Sequence, residues 1–180
     1  VERNHKLAFA LYKRAAERGG VVGQVKMGEY YAEGRFCEQD IQQARSWFAK
    51  AAERKAPLAL FNLGVYALNG IGQKTDPLIA ARYFMRAANL GFDRAQYNLG
   101  CLYAEGRGVA KDAKMARKWF EKAAKLDNVT AQRRLGLCYL HGDGVEMDRR
   151  QGMKWLTVAA LNGDSEAKKL VDALKSEGIA

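Results

Sequence analysis

Long hydrophobic runs are missing from this sequence of 180 residues. No apolar stretch approaches the roughly 20 residues that a helix needs to cross a bilayer, so we expect a soluble segment without membrane insertion. No signal peptide pattern is visible either. The chain begins with Val1 rather than Met, however, so the sequence leaves the compartment undetermined.

Histidine and cysteine are also scarce. His5 and His141 are the two histidines, so histidine-based acid–base chemistry would rest on one residue outside the N-terminal segment. The three cysteines, Cys37, Cys101 and Cys138, are odd in number and lack a repeated spacing, which predicts three free thiols. Cys138 and His141 would need Cys101 nearby to hold a metal. Because zinc usually takes four ligands and neither CxxC nor HxxxH occurs, we predict no metal and no cofactor.

Clusters of positive charge are absent although the net charge is +10. Every segment between the repeat boundaries defined below carries between −1 and +3, and no run of lysine or arginine exceeds two residues. This even distribution is typical of a solvated surface, so we expect no nucleic acid partner. Binding of nucleic acid or an acidic partner through the dispersed basic surface is kept as an alternative.

Known catalytic motifs are missing as well. The sequence contains no GxSxG, P-loop or dinucleotide-binding fingerprint. Two Gly-x-Gly strings, at residues 106–108 and 142–144, recur at the turn between two helices, where helix termination explains them. We therefore predict no catalytic residues and no small-molecule substrate.

An internal repeat organises the chain. A hydrophobic residue followed by glycine returns every 36 residues, with the glycines at Gly28, Gly64, Gly100 and Gly136. An aromatic residue keeps the same period at Trp47, Tyr83, Trp119 and Trp155, as does an alanine pair. Self-similarity at one period indicates an array of units that bury their apolar faces against their neighbours.

Each unit is predicted to hold two helices. In the third unit, helix A covers about residues 93–105 and helix B runs from the N-cap Asp112 to about residue 126. Pro77 follows the equivalent Asp76 and supports this start of helix B. We expect Gly100 to allow a close approach of the two helices, with Trp119 filling the space beside them.

The repeat boundaries follow from this pattern. We predict a single array with a half repeat at 1–19, full repeats at 20–55, 56–91, 92–127 and 128–163, and a capping helix at 164–180. In the first full repeat, Phe36 and Cys37 stand where Gly-Val is usual, which predicts a different loop backbone after Gly34.

These residues resemble the Sel1-like repeat family, relatives of the tetratricopeptide repeat. In the third unit the resemblance rests on Ala95, Leu99, Gly100, Tyr103, Gly106, Gly108, Asp112, Ala116, Trp119, Ala123 and Ala124. It implies an all-α fold, a right-handed α/α solenoid of helix-turn-helix repeats. One branch of the family is linked to β-lactam hydrolysis, but that branch has a cysteine pair in each repeat, which this chain lacks.

The resemblance also implies a partner-binding groove lined by the A helices. The matching positions are Val25, Glu29, Phe61, Val65, Leu68, Tyr97, Cys101, Arg133, Leu137 and His141. We therefore predict a protein-binding scaffold or adaptor whose groove binds a peptide or helix of another protein. A β-lactamase-like enzyme is the main alternative.

Overall fold

The structure, a computed structural model, describes residues 2–176, with side chains from Lys6 onward. The described residues form ten α-helices and no strand, which confirms the predicted all-α class. The side chain of His5 and residues 177–180 of the predicted capping helix lie outside this description. The helices are α1 (Glu2–Glu17), α2 (Val21–Glu33), α3 (Ile41–Glu53), α4 (Pro57–Asn69), α5 (Pro77–Asn89), α6 (Asp93–Glu105), α7 (Ala113–Ala124), α8 (Val129–His141), α9 (Arg149–Leu161) and α10 (Ser165–Ser176).

The helices alternate between two types. We call α2, α4, α6, α8 and α10 the A helices and α1, α3, α5, α7 and α9 the B helices. The predicted N-caps Asp112 of α7 and Asp76 of α5 are confirmed, and Asp40 and Asp148 cap α3 and α9 in the same way. Each aspartate accepts a hydrogen bond from the backbone N–H three residues later. Pro77 occupies the first turn of α5, as predicted. Helix α7 ends at Ala124, two residues before the predicted end.

The loop after α2 contains a left-handed phenylalanine. Phe36 has a φ of 63°, and the glycines at the equivalent positions, Gly72, Gly108 and Gly144, have φ values of 65°, 70° and 71°. The prediction of a different backbone after Gly34 was therefore wrong at this position, since the phenylalanine keeps the conformation that glycine adopts. Its ring packs on Tyr30 with a centroid distance of 5.6 Å, and this contact offsets part of the backbone strain.

The first of two compact units is Val1–Leu90 and contains α1 to α5. Helix α2 packs against α3 and α4 against α5, with α1 against α2. At the α4–α5 crossing, a Cβ added to Gly64 would lie 2.6 Å from Cε1 of Phe84, so only glycine fits there. The two full repeats are joined by Arg45, whose guanidinium donates to the Gly72 carbonyl over 2.9 Å.

The second unit is Gly91–Ala180 and contains α6 to α10. Its pairs are α6 with α7 and α8 with α9, and α10 packs against α9. The same glycine–phenylalanine crossing recurs, with a distance of 2.6 Å from a Cβ on Gly100 to Cε1 of Phe120. The Arg117 Nε atom donates to the Gly144 carbonyl over 3.3 Å and repeats the link seen in the first unit.

The tryptophans lie beside the helix crossings rather than in them. Trp119 is expected beside the A–B crossing, and the ring that lies against Gly100 itself is that of Phe120. Trp119 is 5% exposed, and Lys122 Nζ lies 4.1 Å from the centroid of its ring. Trp47 and Trp155 are only half-buried, so the tryptophans do not contribute equally to the core.

Helix α10 closes the second unit. Ala167 and Val171 are buried in one cluster with Leu156 and Ala159 of α9. Asp172, which stands at the position of the crossing glycines, is exposed to solvent. The helix begins at Ser165, and its role as a cap of the array stays a prediction.

Candidate functional site

The ten predicted groove residues lie on the A helices, and none belongs to the fully buried core. In the first unit, α2 and α4 carry Val25, Glu29, Phe61, Val65 and Leu68, all of which are half-buried. In the second unit, α6 and α8 carry Tyr97, Cys101, Arg133, Leu137 and His141, of which His141 is exposed and the others are half-buried. Half-exposed apolar positions on one type of helix are the composition expected of a contact surface.

Phe61 and Tyr97 occupy equivalent positions and make equivalent contacts. The Phe61 ring packs on Phe84 with a centroid distance of 5.8 Å and an interplanar angle of 42°. The Tyr97 ring packs on Phe120 at 5.9 Å with the same angle. Each ring therefore contributes to the packing of its own repeat as well as to the A-helix surface.

A cavity of about 360 Å³ opens between α6, α7 and α8 of the second unit. Three predicted groove residues, Cys101, Leu137 and His141, line it. Ala116, Phe120 and Cys138 supply buried apolar side chains to its wall, and the remaining lining residues are Ala104, Glu105, Lys111, Ala113, Arg134 and Asp143. The volume lies at the small end of the usual range for ligand pockets, roughly 300–1,000 Å³, which suits one or two partner side chains.

Two thiols in this cavity wall are held in their neutral form. Burial raises the pKa of the Cys138 thiol to about 11, and the nearby Asp143 carboxylate acts in the same direction. Burial also raises the pKa of the Cys101 thiol, although hydrogen bonding with Tyr97 and the charge of Arg134 oppose the rise. Because the thiolate is the reactive form of cysteine, neither side chain is prepared to act as a nucleophile.

Arg134 brings a cation to the cavity that the sequence pattern did not assign to it. Burial lowers the pKa of its guanidinium, but hydrogen bonding with the Tyr97 hydroxyl and the charges of the groups around it outweigh this effect and raise the pKa. The pattern had selected the preceding residue, Arg133, from its equivalence to Tyr97. Adjacent residues of a helix point in different directions, and only the packed structure shows that Arg134 is the arginine that lines the cavity.

Arg133 instead holds the capping helix. Its Nε atom donates to Asp164 Oδ2 over 2.8 Å, and the other carboxylate oxygen of Asp164 accepts from the Ala167 N–H over 2.9 Å. Burial opposes ionisation of Asp164, but these hydrogen bonds and the Arg133 charge keep the pKa of its carboxyl below the usual value. The Arg133 side chain is 27% exposed, so most of its surface is covered by the unit.

The structure also locates the other polar groove residue, Glu29, and the cysteines. Glu29 accepts a hydrogen bond from the Lys26 ammonium over 2.7 Å on the surface of α2. The three cysteines are free, as predicted. Within the described residues, no group of three or more histidine, cysteine, aspartate and glutamate side chains is arranged to hold a metal ion. None of the helices in the described part of the chain is long and apolar enough to span a membrane.

The alternating helices, the 36-residue period and the glycine crossings correspond to a known repeat. The Sel1 repeat matches residues 1–20, 21–55, 57–92, 93–128 and 129–164. The chain therefore belongs to the Sel1 repeat family.

Solved structures of bacterial proteins share this fold. The chain is 35% identical to a Sel1 repeat protein from Oxalobacter formigenes, with a TM-score of 0.88, covering 94% of this chain and 50% of that one. It is 36% identical to a protective antigen of uropathogenic Escherichia coli that displays an SLR fold, with a TM-score of 0.90, covering 93% of this chain and 36% of that one. A third similarity, to the cysteine-rich protein B of Helicobacter pylori, has 29% identity, a TM-score of 0.56 and coverages of 73% and 94%.

These similarities confirm an all-α solenoid. The chain spans half the length of the Oxalobacter protein and about a third of the Escherichia coli antigen. Among curated proteins, no sequence matches the chain. Sel1 repeat proteins generally serve as scaffolds for protein–protein interactions, and their fold is typically non-catalytic.

Proposed function

We propose that this protein is a non-catalytic adaptor that binds a peptide or helical segment of another protein on its A-helix surface. The observation that supports the proposal best is the cavity between α6, α7 and α8, which has an apolar wall and charged residues at its rim. An apolar side chain of the partner would enter the cavity, and polar groups of the partner would meet the rim.

The chemistry of the cavity favours binding over catalysis. The pKa values of both thiols are raised by burial, so the cavity presents neutral, weakly polar sulfur atoms at physiological pH. Arg134 and Lys111 are the cations of the lining, and Glu105 and Asp143 are its carboxylates. Mixed charges around an apolar centre are the usual composition of a peptide-binding surface.

Peptide-display selection followed by affinity measurement tests the proposal. Leu137→Glu places a carboxylate in the cavity wall. It should weaken the binding of a selected peptide at least about 30-fold, which corresponds to about 2 kcal/mol of binding free energy. Leu161→Glu is the matched control, because Leu161 is 82% exposed at the end of α9 and does not line the cavity. The control should bind within about twofold of the parent.

A second variant separates binding from folding. Arg134→Ala removes an exposed rim side chain. It should weaken binding of the peptide while leaving the helical circular dichroism signal unchanged. Phe61→Ala and Tyr97→Ala are less informative, because they also remove ring packing on Phe84 and Phe120. Parental affinity in both Leu137→Glu and Arg134→Ala, with the fold intact, would refute the proposal.

A further inference from the structure

The positive charge of the second unit is spread evenly along the chain but unevenly between the two helix types. The B helices α7 and α9 carry seven lysine and arginine residues and a single acidic residue, Glu121. The A helices α6 and α8 carry three basic and two acidic residues. Nearly all the excess charge of these four helices therefore lies on the B helices.

Glu121 neutralises only part of this charge. It accepts from Arg117 over 3.0 Å and from Lys125 over 2.8 Å, and these contacts lower the pKa of its carboxyl. In the described part of the chain, the remaining B-helix cations of the unit have no carboxylate oxygen within 4.0 Å. They are all exposed: Lys114, Lys118, Lys122, Arg149, Arg150 and Lys154.

The unpaired lysines are regularly placed. Lys114, Lys118 and Lys122 follow one another at four-residue intervals, so they form one row along α7 with a rise of about 6 Å between neighbours. Lys154 of α9 stands at the position equivalent to Lys118 in the next repeat, 36 residues later. We call Lys114, Lys118, Lys122 and Lys154 the B-helix lysine row. Arg149 and Arg150 stand in the first turn of α9 beside Asp148 and are left out of the row.

The side chains around the lysine row limit the kinds of molecule that it can bind. Trp119 is 5% exposed and Lys122 Nζ lies over its ring, so this tryptophan offers no open face for stacking, and the equivalent Trp155 beside Lys154 is half-buried. Lysine is depleted at the centres of protein–protein interfaces, and interfacial helices insert apolar side chains between their cations. A nucleic acid backbone is a polyanion that positive charge alone can bind.

We propose that the B-helix lysine row binds the phosphate backbone of double-stranded nucleic acid without sequence preference. This surface is separate from the A-helix cavity, and the proposal does not depend on peptide binding there. The row consists of lysines, which bind phosphates as flexible point charges, so the expected contacts are with the nucleic acid backbone. With about four phosphates neutralised, affinity should fall about 100-fold between 50 and 200 mM salt.

Fluorescence anisotropy with a labelled 20-base-pair duplex of random sequence tests this proposal. Lys118→Glu combined with Lys154→Glu reverses two charges of the row and should weaken binding of the duplex at least tenfold at 50 mM salt. Lys168→Glu combined with Lys169→Glu is the matched control, because it makes the same change in net charge at exposed positions of α10. The affinity of the control for the duplex should fall no more than about threefold.

Three results would overturn the proposal. Equal losses in the two double variants would show that net charge, rather than the row, governs binding. Equal competition by polyglutamate of matched charge would identify an acidic protein as the partner class. A preference for one base sequence among DNA duplexes of the same length would exclude recognition through phosphates alone.

Discussion

The Phe120 ring of α7 packs directly against Gly100 of α6. A Cβ on this glycine would lie 2.6 Å from Cε1 and 2.7 Å from Cδ1 of the ring, closer than carbon atoms approach one another in folded proteins. The same relationship holds in the first two full repeats, and in the fourth Leu156 takes the place of the phenylalanine against Gly136. The recurring glycine is thus a packing requirement of the A–B crossing.

Gly100→Leu should therefore destabilise the protein by about 3 kcal/mol, because the larger side chain forces α6 and α7 apart. Urea unfolding monitored by circular dichroism measures the change. Arg94→Leu, at an exposed position of the same helix, is the control and should change the free energy of unfolding by less than about 0.5 kcal/mol. A Gly100→Leu protein that unfolds with the parent would contradict the placement of this glycine.

Gly152 occupies the middle of α9, where glycine usually weakens a helix by roughly 0.5–1 kcal/mol relative to alanine. In this structure a Cβ at residue 152 would lie 2.7 Å from Cγ of Leu140 and 3.0 Å from the Gly136 carbonyl oxygen. Gly152→Ala should therefore destabilise the protein by about 1–2 kcal/mol instead of stabilising it.

The double change of Gly152→Ala with Leu140→Ala tests that explanation. It recreates the pair found one repeat earlier, Ala116 with Ala104, and so relieves the clash. A double-mutant cycle from thermal unfolding should show a favourable coupling of about 1 kcal/mol between the two alanines. If Gly152→Ala alone raises the melting temperature, the contact with Leu140 does not constrain this position.

Cys138 should resist alkylation in the folded protein. Burial raises the pKa of its thiol from 9.0 to about 11, so its thiolate population below pH 9 is about 100-fold smaller than that of an unperturbed thiol. Iodoacetamide labelling at pH 8, followed by peptide mass spectrometry, should modify Cys138 at least 100 times more slowly in the native than in the urea-unfolded protein. Equal rates would mean that the side chain is not buried.

The same shift predicts a loss of stability in alkaline solution. The pKa of Cys138 is higher in the folded than in the unfolded chain, so the folded state favours the protonated thiol. Its contribution is complete below about pH 9 and disappears as the pH rises towards 11. Cys138→Ala should reduce the decline in unfolding free energy over this interval, which urea unfolding at pH 9 and pH 11 measures.

The sequence predicted the features that depend on local chemistry. The aspartate caps, the glycine ends of the A helices and the 36-residue period each follow from residue types at fixed positions, and the structure contains them. It did not separate Phe120 from Trp119, because adjacent residues of a helix both fall on a broad apolar side. Only the packed partner helix determines which ring contacts Gly100.

The predicted site has the same limit, because contacts that form only through packing cannot be read from the sequence. The resemblance to the repeat family implied one surface for Cys101, Leu137 and His141, and these three residues line the same cavity in the second unit. It did not reveal that Asp164 engages Arg133, because the two residues lie 31 positions apart and meet only through packing of the cap. At Phe36 tertiary packing outweighs local preference, because phenylalanine by itself disfavours the left-handed backbone conformation that it has here.

Photo-crosslinking of a display-selected peptide tests the central claim most directly. Benzophenone in place of the peptide's apolar anchor residue should crosslink to α6 and α8 around Cys101, Leu137 and His141, which peptide mass spectrometry locates. Free peptide lacking the photoreactive group should compete with these crosslinks. Crosslinks concentrated on the outer side of α7 and α9, around Lys118 and Lys154, would contradict the assignment of peptide binding to the A-helix surface.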